Sequence, residues 1–422
     1  MQVSTKNLSN SRIEIKFEIQ KQEMEPFYQK AVLALGKELE IPGFRKGKAP
    51  TESIESILGK ERIMAEAMEE AINEEYRKAV KNLAESGIEA IGQPEISISK
   101  APKIDGSGPL EFKALTSVMP QVKLPDYKKI ASKVKRGKAE AGPDEIENAL
   151  KWLQKSRAKF SLKNGLAAKG DWVEIEYSKL PENRSIKDSF ILGEGKFPLG
   201  FEDSLEGMKA GEEKSFKLEE GEFKARMVSV QTMELPELND EFAKNLGQFE
   251  NLAALKQSVE SGLRQEKEAQ EIQRMRQEMI KNISEKSEME IPEILLEEQK
   301  KRYLENLKSE VLDKLQMTFE EYLKKVGKTE KDLMDSFKEA AENQVKISLT
   351  MREIQKKEDI QVSSQEVKEE VEKILSRYPN PEEVRKQFGP EYLESYTKEL
   401  IKQEKTFRML EEGLLSGEKE KI

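Results

Sequence analysis

The chain has 422 residues, of which 36% are charged, 36% hydrophobic and 6% aromatic, with a formal net charge of −9. It is too long for one core and too polar to bury as much apolar surface per residue as an average globular chain, so roughly two to four domains with extended, solvated helices are expected. With Cys 0 and His 0, disulfides, thiolate nucleophiles, Cys/His zinc sites and a Ser-His-Asp triad are excluded, the usual general base near neutral pH is missing, and the acidic balance argues against general affinity for nucleic acid.

The opening segment, Met1 to Ile19, lacks the apolar stretch of a signal peptide. No uncharged apolar run is long enough to span a bilayer, so a soluble, cytoplasmic protein without membrane partners is expected. Ile13, Ile15, Phe17 and Ile19 alternate with polar residues, as in a strand with one buried face. Phe27, Ala31, Leu35 and Leu39 follow at helical spacing, a Gly- and Lys-rich loop runs from Ile41 to Pro50, and helical periodicity resumes from Ile57 through Met64, Met68, Ile72 and Tyr76 to Leu83. Alternation returns at Ile96 and Ile98 and at Phe112, Ala114, Thr116 and Val118, which completes a small α+β domain near Met119. Pro120 and Pro125 bracket an extended connector. Gly142-Pro143-Asp144-Glu145 then reads as a helix start, with Ile146, Leu150 and Leu153 as its apolar face.

Asn164-Gly165 is a turn signal, and Val173, Ile175 and Tyr177 alternate with acids in the next strand. Phe216 with Leu218, and Met227, Val228 and Val230, mark further strands of a compact β-rich domain with one short helix. From Asp240 onward the pattern is helical. Leu252, Leu255, Val259 and Leu263 form one stripe, and Ile272, Met275, Met279 and Ile283 the next. Ile291-Pro292 breaks the helix, because Pro lacks an amide hydrogen and disfavours helical geometry in the residue before it. Leu296, Tyr303, Leu307, Val311 and Leu315 restart it. Thr318-x-x-Glu321 and Ser363-x-x-Glu366 are capping boxes, and Asn380-Pro381-Glu382-Glu383 is another start signal.

The loop Gly43-Phe44-Arg45-Lys46-Gly47-Lys48-Ala49-Pro50 gathers three cations and an aromatic between two amphipathic helices. Such a tip suits phosphate oxygens, acidic side chains and base faces, although from the residues alone a solvated turn is the plainer reading. A nucleotide-binding P-loop is ruled out by the close spacing of Gly43 and Gly47 and by Ala49 where a magnesium-binding hydroxyl is needed. The segment Ile41 to Pro50 resembles the ribosome-binding signature of bacterial trigger factors, and Met1-Gln2-Val3 and Leu235-Pro236-Glu237-Leu238 with Glu241-Phe242 are similar to that family too. The resemblance implies that Gly43, Phe44, Arg45, Lys46, Gly47 and Lys48 dock on the large ribosomal subunit, at an exit-tunnel protein and adjacent rRNA.

Phe190 to Glu202, continued by Leu205-x-Gly207-Met208-Lys209-x-Gly211-Glu212, resembles the pocket segment of FKBP-type prolyl isomerases. That chemistry suits a chain without His. Turning an X–Pro bond over its barrier of ~20 kcal/mol breaks no covalent bond and moves no proton, and an apolar pocket that desolvates the bond favours its twisted form. The resemblance places Tyr177, Phe190, Phe197, Phe201 and Phe223 around the prolyl ring as the catalytic lining; read from the residues alone, the same aromatics are core. Three departures from that pattern imply weak activity. Pro198-Leu199 replaces Ile-Pro before the Gly, the hairpin between Tyr177 and Phe190 is reduced to Pro181-Glu182-Asn183-Arg184, and the flap between Phe216 and Phe223 is short.

In the helical part, Met275, Met279, Met289, Met317, Met334 and Met351 suit either an adaptable client surface or ordinary helix packing. The fold class implied is a multidomain α+β protein. Residues 1–118 form an N-terminal α+β ribosome-binding domain, and 119–160 a connector whose helix packs on the C-terminal domain. Residues 161–234 form a shortened FKBP-like β-rich domain, and 235–422 an all-helical C-terminal chaperone domain. The function implied is to hold nascent and unfolded polypeptides open, to assist folding, export and cell division, and to isomerise prolyl bonds, with no cofactor and no metal, and with a homodimer admitted off the ribosome. A stand-alone prolyl isomerase and a non-catalytic helical scaffold are the alternatives.

Overall fold

A computed structural model describes residues 2–37, 39–40, 42, 44, 49–103, 107–180 and 185–419, with 413–419 described by backbone only. The chain divides into two compact units, Met1–Lys135 with Met275–Ile422, and Arg136–Arg274.

The first unit opens with β1 (Gln2–Leu8), β2 (Arg12–Ile19), α1 (Lys21–Gly36), α2 (Thr51–Leu58), α3 (Lys60–Glu85), β3 (Ala90–Lys100), β4 (Leu110–Val118) and the short α4 (Tyr127–Ala131). The strands form an antiparallel sheet in the order β1-β2-β4-β3. Alternation puts Ile13, Ile15, Phe17 and Ile19 of β2 on the face that packs against Phe27, Ala31 and Val32 of α1 and Ile63, Ala67 and Ala71 of α3. Phe17 pairs with Phe112 across β2 and β4, and their rings stack at 4.4 Å. The helices cover the central strands and leave the edges open. Ile96 and Ile98 of β3 stand opposite Ala114 and Phe112, yet they are exposed. The helical periodicity from Ile57 to Leu83 is interrupted at Gly59, whose φ of +79° ends α2 and admits α3. Ile57 is exposed, and Leu39, just past the end of α1, still packs on the core.

The second unit holds α5 (Pro143–Ser156), β5 (Lys159–Leu162), β6 (Trp172–Lys179), β7 (Ile186–Ile191), α6 (Phe201–Leu205), β8 (Glu213–Leu218), β9 (Gly221–Glu234), α7 (Asp240–Leu246) and most of α8 (Leu252–Glu285). The sheet order is β5-β9-β6-β7, with β8 also paired to β9. A bulge places Ser229 opposite Glu174 but Met227 opposite Ile175, so Val228 is the extra residue. It explains why Met227 and Val230 are both buried while Val228 points to water. The α5 start forms as its sequence signals: the Gly142 N–H donates to the Glu145 carboxylate at 2.7 Å. Leu150 then packs with Phe242, Ala243 and Leu255 of α7 and α8.

The rest of the first unit is helical. It comprises the last turns of α8, then α9 (Glu293–Leu315), α10 (Phe319–Val326), α11 (Glu330–Ser336), α12 (Lys338–Lys357), α13 (Ser364–Leu375), α14 (Pro381–Phe388) and α15 (Pro390–Lys419). The capping boxes form at Thr318 and Ser363, and a further one at Thr329 with Asp332. Tyr127, Ala131 and Val134 pack with Met275, Met279 and Ile283, Met351 and Ile354, and Leu410. The Tyr127 hydroxyl donates to Glu358 at 2.5 Å, and burial together with that carboxylate pushes the phenol up to about 12. The Arg276 guanidinium bridges α8 to α15, donating to Glu411 at 2.6 Å and to Glu404 at 2.7 and 3.1 Å. Turns and connectors flanking the N-terminal sheet are tied to these helices at several points. Lys123 and Glu288 exchange backbone hydrogen bonds at 3.0 and 3.2 Å, Ser11 Oγ donates to the Glu290 carbonyl at 3.1 Å, and Arg352 pairs with Glu89.

Candidate functional site

The aromatic cluster of the five-stranded sheet is built by four segments. Alternation along β6 and β7 sends Tyr177 and Phe190 inward, β9 supplies Phe223, and the turn after β7 carries Phe197 into α6, whose first residue is Phe201. All five come together. Phe201, fully buried, is the hub: Phe197 lies flat on it at 4.4 Å and 11°, and Tyr177 and Phe223 meet it edge-on, each at 5.4 Å. Phe190 touches Phe197 at 4.7 Å, and Tyr177 touches it at 5.4 Å.

Two members escaped the sequence reading. Phe216 of β8 stands opposite Phe223 in the β8–β9 hairpin and meets Phe201 at 5.2 Å; two aromatics flanking a Gly221 turn are the signal for such a cross-strand pair. Glu202, next to Phe201 and 8% exposed, accepts from the backbone N–H of Phe197 at 3.1 Å on Oε1, and from Gly193 at 2.7 Å and Gly195 at 3.2 Å on Oε2. Burial raises the Glu202 carboxyl, but these amides outweigh it and hold it below the usual carboxylate range. Lys196 stands 5.8 Å from the Phe190 ring and 5.9 Å from the Phe197 ring, and its ammonium donates to Asp188 at 2.6 Å. Burial and then Asp188 push the Tyr177 phenol up, so it stays protonated. Chemically the cluster is apolar apart from the Tyr177 hydroxyl, and the Glu202 carboxylate beside it is committed to backbone amides. The shortened hairpin, Pro181 to Arg184, lies outside the described residues.

Of the basic loop, Phe44 is described and is 46% exposed; Gly43, Arg45, Lys46, Gly47 and Lys48 lie outside the described residues. The ends of that loop are pinned, since Leu39 and Ala49 both pack against the N-terminal core.

In the helical region burial decides between the two readings of three methionines. Met275, Met279 and Met351 are buried, so they hold helices together and offer nothing to a client; Met289, Met317 and Met334 are partly exposed. Open apolar surface includes Leu312, Leu315 and Val326, and beside these an aromatic series. Phe388, Tyr392 and Tyr396 are 47, 54 and 51% exposed and recur every fourth residue, with Leu400 next in the series. Their rings form a ladder, at 5.7 Å between the first two and 6.2 Å between the second two. Among the described residues no helix is long and apolar enough to cross a membrane, and no group of three or more acidic, His or Cys side chains could hold a metal ion.

Comparison with known proteins agrees across the chain. Residues 1–153 match the family described as "Bacterial trigger factor protein (TF)", and residues 251–412 match "Bacterial trigger factor protein (TF) C-terminus". The trigger factor of Carboxydothermus hydrogenoformans is 32% identical over 410 residues, covering 92% of this chain and 94% of that protein. The trigger factor of Bacillus subtilis is 31% identical over 396 residues, covering 89% and 90%. A solved trigger factor chaperone structure superimposes with a TM-score of 0.51 at 22% identity, covering 97% of this chain and 99% of that one, a likeness of fold.

Proposed function

Because this chain belongs to the trigger factor family of chaperones, we propose that it docks on the large ribosomal subunit in the cytoplasm and holds nascent polypeptides through exposed apolar surface on its helical region. The observation that carries the holding role is the Phe388–Tyr392–Tyr396 ladder. Single exposed apolar residues are ordinary, but a contiguous stripe of half-exposed rings is surface that could be buried and is not. Stacked rings offer flat faces and edges that accept many side chains without demanding one sequence, which suits clients that share only their apolar character.

Docking is assigned to Gly43, Phe44, Arg45, Lys46, Gly47 and Lys48. The exposure of Phe44 and the pinning of the loop ends by Leu39 and Ala49 support a presented tip. The domains that divide this work are 1–118 for docking, 119–160 as connector, 161–234 for prolyl isomerisation and 235–422 for holding clients. The aromatic cluster of Tyr177, Phe190, Phe197, Phe201 and Phe223 is assigned to weak prolyl isomerase activity of FKBP type; its apolar walls suit a reaction that moves no proton.

The test is light scattering of a denatured model protein with equimolar chaperone. Replacing Phe388, Tyr392 and Tyr396 together by Ser should cut protection by half or more while the helical circular dichroism stays constant. Full protection by the folded triple variant would remove the ladder from the client surface.

A further inference from the structure

Phe201 is enclosed on every side. Phe197 covers one face at 4.4 Å, nearly parallel, and Tyr177, Phe216 and Phe223 close the remainder edge-on at 5.4, 5.2 and 5.4 Å. A prolyl ring that enters an aromatic pocket packs against the face of its floor. Here that position is taken by a side chain of the protein itself.

Resting on the reading of this sheet as a prolyl isomerase, we propose that Phe197 is an internal stand-in for the prolyl ring. The pocket is shut at rest, an X–Pro segment enters by turning Phe197 off Phe201, and Glu202 is the positioning residue that keeps it shut.

The division between floor and plug follows from burial. Phe201 is fully buried and has nowhere to go, whereas Phe197 is half-buried and has water on one side to turn into. The backbone beneath Phe197 is held by Glu202 through the N–H groups of Gly193, Gly195 and Phe197 itself. The following turn is closed by the Phe201 N–H on the Pro198 carbonyl at 3.0 Å. Gly200, at φ +86°, lets the chain enter α6 at an angle that a side chain would resist, and Leu199 next to it is 97% exposed, so it takes no part in the closure. Lys196, anchored on Asp188, stands beside both Phe190 and Phe197 and braces the plug from outside. Replacement of Ile-Pro by Pro198-Leu199 thus changes more than the pocket rim. It goes with a loop that delivers the preceding Phe into the pocket.

Self-occupation has a definite consequence. A site open only a fraction of the time binds its ligand weaker by that fraction, so an opening of about one in a hundred costs about a hundredfold in apparent affinity. Short free peptides would be poor substrates, while a client tethered by other contacts reaches the site at raised effective concentration.

The experiment uses the full chain and a tetrapeptide with one Leu-Pro bond, its cis–trans exchange followed by magnetisation-transfer NMR. Phe197→Ala should raise kcat/KM about tenfold or more. Glu202→Gln, which deletes no ring but loosens the turn that seats Phe197, should raise it by a smaller factor and through KM rather than kcat, and Glu202→Asp should restore the low wild-type value. Phe201→Ala should be inactive. Should Phe197→Ala lose its sheet by circular dichroism, the Glu202 pair decides alone. Folded Phe197→Ala and Glu202→Gln proteins at or below wild-type kcat/KM, in a wild type that is itself active, would make Phe197 an ordinary wall and leave the isomerase reading standing. No exchange in the wild type or in either variant would overturn both.

Discussion

Replacing Phe201 by Ala deletes a ring that is 0% exposed and touches four others at 4.4 to 5.4 Å. Truncating a core Phe costs ~3–5 kcal/mol, the transfer term plus the cavity left behind. Two features of the site set the place in that range. Four ring contacts, each worth ~0.5–1.5 kcal/mol beyond the area they bury, push the cost up. Phe197, half-buried and lying on the deleted ring, can drop into the void and pull it down. The balance is a loss of ~3–4 kcal/mol, against a total stability of ~5–15 kcal/mol for a typical domain. With a urea dependence of ~1–3 kcal/mol per molar, the unfolding midpoint falls by ~1–4 M. The assay is urea unfolding followed by tryptophan fluorescence. Trp172 sits in β6, half-buried and tilted against Phe160 at 5.3 Å, and reports on this sheet. Trp152 is 68% exposed, so its emission is already that of a solvated indole. A Trp172 transition that moves by the equivalent of less than ~1 kcal/mol would show that Phe201 is not the hub of the cluster.

Arg276→Ala removes the cation shared by Glu404 and Glu411; since the guanidinium side chain is 14% exposed and the carboxylates 41 and 29%, the cost lies between that of a surface and a buried pair, ~1–3 kcal/mol by thermal unfolding. The hydrogen bond from Arg276 holds the Glu404 carboxyl below its ordinary value, so its contribution is fully present above the unfolded carboxylate pKa and is lost as pH falls through the lower folded value; acid titration of stability should be steeper in the wild type than in Arg276→Ala. Thr350 is fully buried in α12 and its hydroxyl has no hydrogen-bond partner among the described residues, so the near-isosteric Thr350→Val should be neutral or stabilising by up to ~1 kcal/mol, and a melting temperature lowered by several degrees would contradict this. Replacing Phe44, Arg45 and Lys46 together by Ala should abolish co-sedimentation with ribosomes without changing the circular dichroism, and wild-type pelleting should weaken with added salt; unchanged pelleting of the variant would dismiss the loop as the docking site.

Much of this architecture is legible in the sequence because its signals are local. The alternation of Ile13, Ile15, Phe17 and Ile19 makes β2, Gly142-Pro143 starts α5, Ile291-Pro292 separates α8 from α9, and the boxes at Thr318 and Ser363 cap their helices. Each is settled within a few residues by backbone geometry or by one side chain reaching its own helix end. The gathering of Tyr177, Phe190, Phe197, Phe201 and Phe223 was legible through a motif resemblance, though not how their rings lie on one another. Strands β1, β5 and β7 were not legible: β1 and β5 lie largely in water, so no buried face marks them, and β5 takes its partner, β9, from a distant part of the chain. Val228 reads as an inward residue until the bulge against β6 turns it out. The same limit applies to the helices. A stripe fixes which residues share a face, but whether another element covers that face is decided by the rest of the chain. Met275, Met279 and Met351 were therefore covered, whereas Tyr392 and Tyr396 were left open. Phe197 closing over Phe201 is a tertiary outcome of the same kind. It depends on a carboxylate five residues on gathering three backbone amides, an arrangement that exists only once the turn has folded.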